Sequence, residues 1–125
     1  MRVYSVRKEF PQSVKVDLAS SALLASSAKG DLLLSQEPVY RAGFLAGTMA
    51  MAPIAGGAHR SIEDGVISAD FSLDGREQAV VRHANGQVQL EFPAGRVIYR
   101  TGGFLDYARI SPSGNEVAFL GTPGV

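Results

Sequence analysis

Two charged residues, Asp70 and Arg109, take matching places in a repeated sequence. Residues 69–75 read Ala-Asp-Phe-Ser-Leu-Asp-Gly, and residues 108–114 read Ala-Arg-Ile-Ser-Pro-Ser-Gly. If the two copies form neighbouring strands, a carboxylate and a guanidinium come together, and such a pair can form a salt bridge or hold a polar ligand. We expect a salt bridge between the two units, with ligand binding as the alternative.

The sequence contains no recognisable catalytic constellation. It has no glycine-rich phosphate loop with a lysine, no kinase catalytic loop and no Gly-x-Ser-x-Gly nucleophile elbow. A hydrolase or lyase with paired carboxylates would need acids at equivalent positions, which here hold Asp70, Arg109 and Ala25. His59 and His83 fall in or beside predicted turns of different units, and cysteine is absent. We therefore predict no catalytic residue, no metal site and no cofactor.

A second candidate site is the segment 36–47, which carries Tyr40, Arg41 and Phe44. Its proline and glycines predict an irregular connection, the longest in the chain. Aromatic and arginine side chains on a supported loop are typical of a recognition surface. The alternative is that the loop packs over a sheet edge and buries Phe44.

The bulk composition narrows the possible partners. The chain has 125 residues, 46% of them hydrophobic, which suffices for one domain with a core. Twelve basic and twelve acidic residues give a formal net charge of zero, so we predict no nucleic-acid binding. The weakly polar stretch 43–57 is interrupted and too short to span a membrane, so we expect no membrane contact. No signal peptide is evident, which predicts a cytoplasmic protein if Met1 is the natural start and otherwise leaves the compartment open.

Alternating apolar and polar residues predict strands throughout the chain. Turns are predicted wherever glycine, asparagine or proline clusters, including 63–65 and Asn85-Gly86. An Ala/Met-rich helix over 42–55 is the alternative for that stretch, although its glycines and proline oppose it. The predicted strands cover 2–6, 13–18, 22–26, 31–35, 48–54, 58–62, 66–71, 77–83, 87–92, 97–101, 104–110 and 116–120.

Serine-to-glycine turns recur along the chain. Ser27, Ser72 and Ser111 are 45 and 39 residues apart, which is the period of a propeller blade. We predict a structural role for these turns, because short polar side chains hydrogen-bond to the N–H groups of the turn. The residues concerned are Ser72, Asp74, Gly75, Ser111 and Gly114.

The two turns, each preceded by an apolar residue and followed by a short strand, resemble the Ser-Pro-Asp-Gly signature of TolB-type, WD-repeat-like β-propellers. Leu73 and Ser113 depart from that signature. More narrowly, residues 48–63, 90–93 together with 96–99, and 110–120 are similar to the propeller region of some bacterial serine/threonine protein kinases. The resemblance implies a propeller that binds a protein or small ligand, or a sensor domain whose ligand biases a kinase.

Counting strands against this resemblance gives about three blades. Residues 1–20 form an outer half-blade, 21–64 and 65–103 form two blades of four antiparallel strands, and 104–125 form an inner half-blade. Propellers typically need four to eight blades to close. We therefore predict a homodimer in which two chains complete each other's half-blades as a six-bladed ring. The alternative is a segment of a longer propeller.

Overall fold

The computed structural model describes residues 2–9, 11–16, 18, 20–41, 43–56 and 60–122, and the all-β prediction is confirmed. None of these residues is helical, so the helix considered over 42–55 is wrong. Correspondingly, the described part contains no helix long and apolar enough to cross a membrane. The strands in chain order are β1 (Tyr4–Val6), β2 (Ser13–Lys15), β3 (Ser21–Ser26), β4 (Asp31–Arg41), β5 (Phe44–Pro53), β6 (Arg60–Phe71), β7 (Gln78–Ala84), β8 (Gln87–Glu91), β9 (Val97–Thr101), β10 (Leu105–Ile110) and β11 (Val117–Gly121).

The strands form three antiparallel sheets. A central sheet has the order β3-β4-β5-β6-β7-β8-β9, and each strand pairs with its neighbours in sequence. The two remaining sheets are two-stranded, namely the N-terminal hairpin β1–β2 and the C-terminal hairpin β10–β11. Two-stranded sheets are only marginally stable alone. Both hairpins therefore depend on packing against the central sheet.

The two halves of strand β6 pair with different strands of the central sheet. Residues 60–66 pair with β5, whereas residues 66–71 pair with β7. The first unit is therefore β3, β4, β5 and residues 60–66, and the second unit is residues 66–71, β7, β8 and β9. Each unit contains four antiparallel strands. The predicted boundary between two blades, at 64/65, falls inside β6.

The predicted turn at 63–65 is wrong, because β6 continues through it. Gly65 has φ of +69°, a conformation that glycine adopts readily, and the pairing shifts register beside it on both sides of the strand. An added Cβ at Gly65 would lie 3.0 Å from the carbonyl oxygen of His83. The glycine thus permits a bulge inside one long strand rather than a reversal of the chain.

The predicted irregular connection 36–47 is also wrong. It is the end of a long hairpin in which β4 and β5 pair as far as Arg41 and Phe44. Pro38 is accommodated by a bulge between Gln36 and Val39, where Glu37 has φ of +48°. The proline and glycines of this segment mark a bulge and a hairpin turn, and they do not end the strands.

Three apolar clusters fill the spaces between the N-terminal hairpin, the two four-stranded units and the C-terminal hairpin. Alternation along β4 directs Leu32 and Leu34 to one face and Leu33 to the other, and all three are at most 2% exposed. Full burial of such a side chain is worth about 1.5–3 kcal/mol. The N-terminal hairpin packs on the first unit through Val3, Val16, Leu18, Leu32, Leu34 and Ala52. The first unit packs on the second through Leu33, Met49, Val66, Ala69, Phe71 and Val80. The second unit and the C-terminal hairpin share Ile67, Ala79, Val81, Val88, Leu90, Leu105 and Ala108.

Replacing Gly47 by alanine is expected to destabilise the fold. The new methyl group would lie 2.6 Å from the carbonyl oxygen of Gln36 and closer still to Ser35 Oγ. Overpacking of this kind costs about 1–3 kcal/mol. Urea denaturation measures the loss. Gly102→Ala is the matched control, because a Cβ at Gly102 meets nothing within 4 Å, and equal losses in both variants would contradict the packing argument.

Candidate functional site

A cavity of about 420 Å³ opens where the first and second units meet the C-terminal hairpin. Strand β3, the end of the β4–β5 hairpin, β6 and β10 each contribute to its wall. It brings together the predicted candidates Tyr40, Phe44 and Arg109 with three residues that were not predicted, Phe104, Asp106 and Tyr107. We take this cavity as the candidate site.

Asp70 does not line this cavity, and it contacts β10 through the backbone. Its Oδ2 accepts a hydrogen bond from the N–H of Ile110 at 2.8 Å, and Ser68 Oγ accepts one from the N–H of Ala108 at 3.2 Å. Arg109 Nη1 donates instead to the carbonyl oxygen of Ala108 at 2.7 Å. The predicted salt bridge between Asp70 and Arg109 is therefore absent from the described part of the chain, where the ion pair that forms is Arg82 with Glu91.

Arg109 lines the cavity together with Asp106. Burial raises the pKa of Asp106, while a hydrogen bond from the N–H of Tyr107 and the charge of Arg109 act in the opposite direction. The N–H of Tyr107 lies 2.6 Å from Asp106 Oδ1. A carboxylate and a guanidinium thus line the same cavity, but the acid is Asp106 rather than Asp70, and no ion pair joins Asp106 to Arg109.

A bulge in β10 presents Tyr107. The pairing of β10 with β11 shifts register between Asp106 and Arg109, and Tyr107 has φ of +57°. This left-handed conformation is uncommon for a bulky residue, and here it accompanies the bulge. The side chain is 58% exposed. The alternation that predicts β10 could not have revealed this residue, because a bulge interrupts the alternation.

The end of the β4–β5 hairpin supplies the opposite wall. The ring of Phe44 stacks on that of Phe104 with centroids 5.6 Å apart and planes 14° apart, and it lies 6.1 Å from the ring of His83. Phe44 is half-buried, whereas Tyr40 is 78% exposed. Arg41 is the last residue of β4, and its side chain lies outside the described part, as does His59.

The serine turns are built alike in both full copies. Ser72 Oγ donates to Asp74 Oδ1 at 2.6 Å and accepts from the N–H of Glu77 at 3.0 Å. Ser111 Oγ interacts with Ser113 Oγ at 3.0 Å and accepts from the N–H of Glu116 at 3.2 Å. In each turn a glycine with positive φ donates its N–H to the serine carbonyl oxygen, and these glycines are Gly75 and Gly114. The serine hydroxyl groups are thus engaged in hydrogen bonds within their own turns, which stabilise the hairpins.

A separate acidic cluster lies inside the sheet. Glu91 is 1% exposed and accepts hydrogen bonds from Arg82 Nε, Gln89 Nε2 and the N–H of Gly95, at 3.1, 2.8 and 2.8 Å. Burial alone would raise the pKa of Glu91, but these donors lower it. Burial and the neighbouring Glu91 raise the pKa of Glu63, whose Oε2 is buried without a hydrogen-bond partner among the described residues. The cluster thus stabilises the ionised form of Glu91 and disfavours the ionised form of Glu63.

Comparisons of the chain with protein-family models, with curated proteins and with solved structures found no match. The described residues also contain no group of three or more histidine, cysteine, aspartate or glutamate side chains placed to hold a metal ion. A function for this chain must therefore be argued from its own geometry.

Asp70→Ala is expected to lower the free energy of unfolding by about 1–2 kcal/mol, because the N–H of Ile110 loses its acceptor. Asp70→Asn keeps an oxygen at that place and should stay within about 0.5 kcal/mol of the parent. Urea denaturation of the three proteins makes the comparison. Equal loss in both variants would show that the charge, and not the acceptor, is what β10 requires.

Glu63→Gln and Glu91→Gln are expected to change stability in opposite directions at pH 7. Glu63 has its pKa raised in the folded state, so its stabilising contribution exists at low pH and is lost as the pH rises through that pKa. Glu63→Gln should therefore raise the urea midpoint at pH 7, with the gain vanishing below about pH 4.5, the ordinary value for glutamate.

For Glu91 the sign reverses, because its lowered pKa gives stability that is present above the ordinary value and lost as the pH falls through the folded one. Glu91→Gln leaves buried donors without a charged acceptor and should cost about 1–3 kcal/mol at pH 7. A fall in stability in both variants would refute this account of the pair.

Proposed function

We propose that this protein is a non-enzymatic, self-assembling β-propeller module, in which the C-terminal hairpin of one copy joins the N-terminal hairpin of another. Each junction then forms a four-stranded blade like the second unit. Two copies make a closed ring of six blades, within the range of four to eight that propellers use.

The observation that carries the proposal is an uncovered face on the C-terminal hairpin. The serines of the two turns are 39 residues apart, so Ala118 and Leu120 on β11 are equivalent to Ala79 and Val81 on β7. Ala79 and Val81 are fully buried under the C-terminal hairpin. Ala118 is exposed and Leu120 is 61% exposed. The hairpin therefore has an apolar face with the pattern of a core, and no residue of the described part of the chain covers it.

A matching apolar face lies at the other end of the chain. Leu23 on β3 pairs with Leu34 on β4, so the two side chains share one face of the first unit. The N-terminal hairpin covers Leu34, which is fully buried, but leaves Leu23 56% exposed. A C-terminal hairpin from a second copy, placed beside β1–β2, would cover Leu23 with the face of Leu120.

The strand edges favour the same arrangement. In the second unit, the inner strand and β7 are followed by β8 and β9. In the proposed junction, β10 and β11 of the C-terminal hairpin correspond to the first two strands of such a unit. Strands β1 and β2 of the other copy's N-terminal hairpin correspond to the last two. Pairing of β11 with β1 of a second copy would occupy two open edges, and open edges otherwise invite aggregation.

The absolute mass in solution tests this proposal, by light scattering coupled to size exclusion. The parent protein should elute as one species at twice the 13.2 kDa chain mass. Leu120→Lys and Leu23→Lys should each give monomers, because a lysine ammonium would be buried in the junction. Leu73→Lys is the control, since Leu73 is 70% exposed in the Ser72 turn and lies on neither of the two apolar faces that form the junction.

Mixing the two monomeric variants distinguishes the geometry. In a head-to-tail ring, an equimolar mixture retains one intact junction, so a dimer containing both variants should reappear. If Leu120→Lys alone abolished dimers, the contact would join β11 to β11. A monomeric parent would refute self-assembly and leave strands from elsewhere as the partners of these edges.

A further inference from the structure

The cavity between the β4–β5 hairpin and β10 combines aromatic surface with two opposite charges. Its aromatic rings are unusually open to solvent, since Tyr40 is 78%, Tyr107 58% and Phe104 38% exposed. Large apolar surfaces grouped around a concave site mark places where ligands bind. The volume of about 420 Å³ falls within the range of small-molecule sites, about 300–1,000 Å³.

The charges at the cavity select a particular kind of ligand. Asp106 offers a carboxylate that only accepts hydrogen bonds when ionised, and Arg109 offers a guanidinium that only donates them. A cation would be attracted by the first and repelled by the second, and an anion the reverse. Two classes of ligand satisfy both: a zwitterion, and a neutral ligand with adjacent hydroxyl groups, because each hydroxyl can donate and accept.

The aromatic rings select the rest of the ligand. A sugar ring has apolar C–H faces as well as hydroxyl edges, and aromatic side chains provide apolar area with a wet margin. Ser35 lines the same cavity, is 2% exposed, and has a hydroxyl with no hydrogen-bond partner among the described residues. Phe44 and Phe104, stacked on each other, hold the aromatic wall in place without the ligand.

We propose that this cavity binds a neutral saccharide unit, with its hydroxyl groups between Asp106 and Arg109 and an apolar face against the aromatic rings. All of these residues belong to one chain. The site therefore does not require self-assembly. Because Leu23 lines the cavity as well as the proposed junction, sugar binding by the monomeric Leu120→Lys variant, which keeps Leu23, would separate the two proposals.

The test is a titration of the ¹⁵N-labelled protein with neutral disaccharides, followed by amide chemical shifts. The probes are cellobiose, maltose, mannobiose and N,N′-diacetylchitobiose. At least one should shift the amides of residues 104–109 and 43–45 in a saturable way. Glucuronic acid, glucosamine and phenylalanine serve as the anionic, cationic and zwitterionic comparisons, and each should bind more weakly.

Two variants assign the binding to the named side chains. Arg109→Ala should weaken binding roughly tenfold or more, because a charged hydrogen-bond partner is lost. Tyr107→Asn removes the ring but suits the left-handed backbone, since asparagine tolerates positive φ. It should weaken binding as well. Arg96→Ala, at an exposed turn that does not line the cavity, is the control and should bind like the parent.

Several outcomes would overturn the proposal. Absence of shifts with all four disaccharides would do so, and so would shifts confined to other parts of the chain. Saturable binding of phenylalanine alone would indicate a site for zwitterions instead. Unchanged affinity in both Arg109→Ala and Tyr107→Asn, with well-dispersed spectra, would remove these side chains from any site.

Discussion

The fold depends on burying both faces of the central sheet. Three consecutive leucines in β4 achieve this, because alternation sends Leu33 toward the second unit and its two neighbours toward the N-terminal hairpin. The same alternation in β7 places Val80 on one face and Ala79 and Val81 on the other. Strands of this kind cannot lie at a surface, so each of the two four-stranded units requires another layer on either side. The stack of N-terminal hairpin, first unit, second unit and C-terminal hairpin follows from that requirement.

Polar side chains determine how neighbouring layers align. Ser68 and Asp70 project from β6 and accept hydrogen bonds from backbone N–H groups of β10, in each case forty residues along the chain. These hydrogen bonds fix the position of β10 along the direction of β6. Apolar packing alone does not fix that position. Serine turns at the ends of the same strands keep the hairpins in register with them. The regular spacing visible in the sequence is therefore the spacing of the layers.

The sequence predicted the all-β class and most of the second unit. Asn85-Gly86 and the serine turns specify short-range reversals, and the local hydrogen bonds that form them depend on few other residues. Strands β4 and β5 were harder to predict, because Pro38 and Gly47 suggest a break that distant pairing overrides. The bulge at Tyr107 left no pattern, since its conformation depends on how β10 meets β11. Whether Asp70 would meet a side chain or a backbone amide could not be read from spacing, because both partners lie on the same strand.

Strand β6 connects the two halves of the central sheet without an intervening loop. Its first half is the edge of one four-stranded unit, and its second half is the edge of the next. Loss of pairing along the whole of β6 would strip a strand from both units at once, because one continuous strand joins the two units. The stretch that repeats in sequence therefore does not coincide with a part that could detach and fold alone. A duplication of one unit would therefore have to begin or end inside β6. The new copy would carry a half-strand that pairs with the unit next to it.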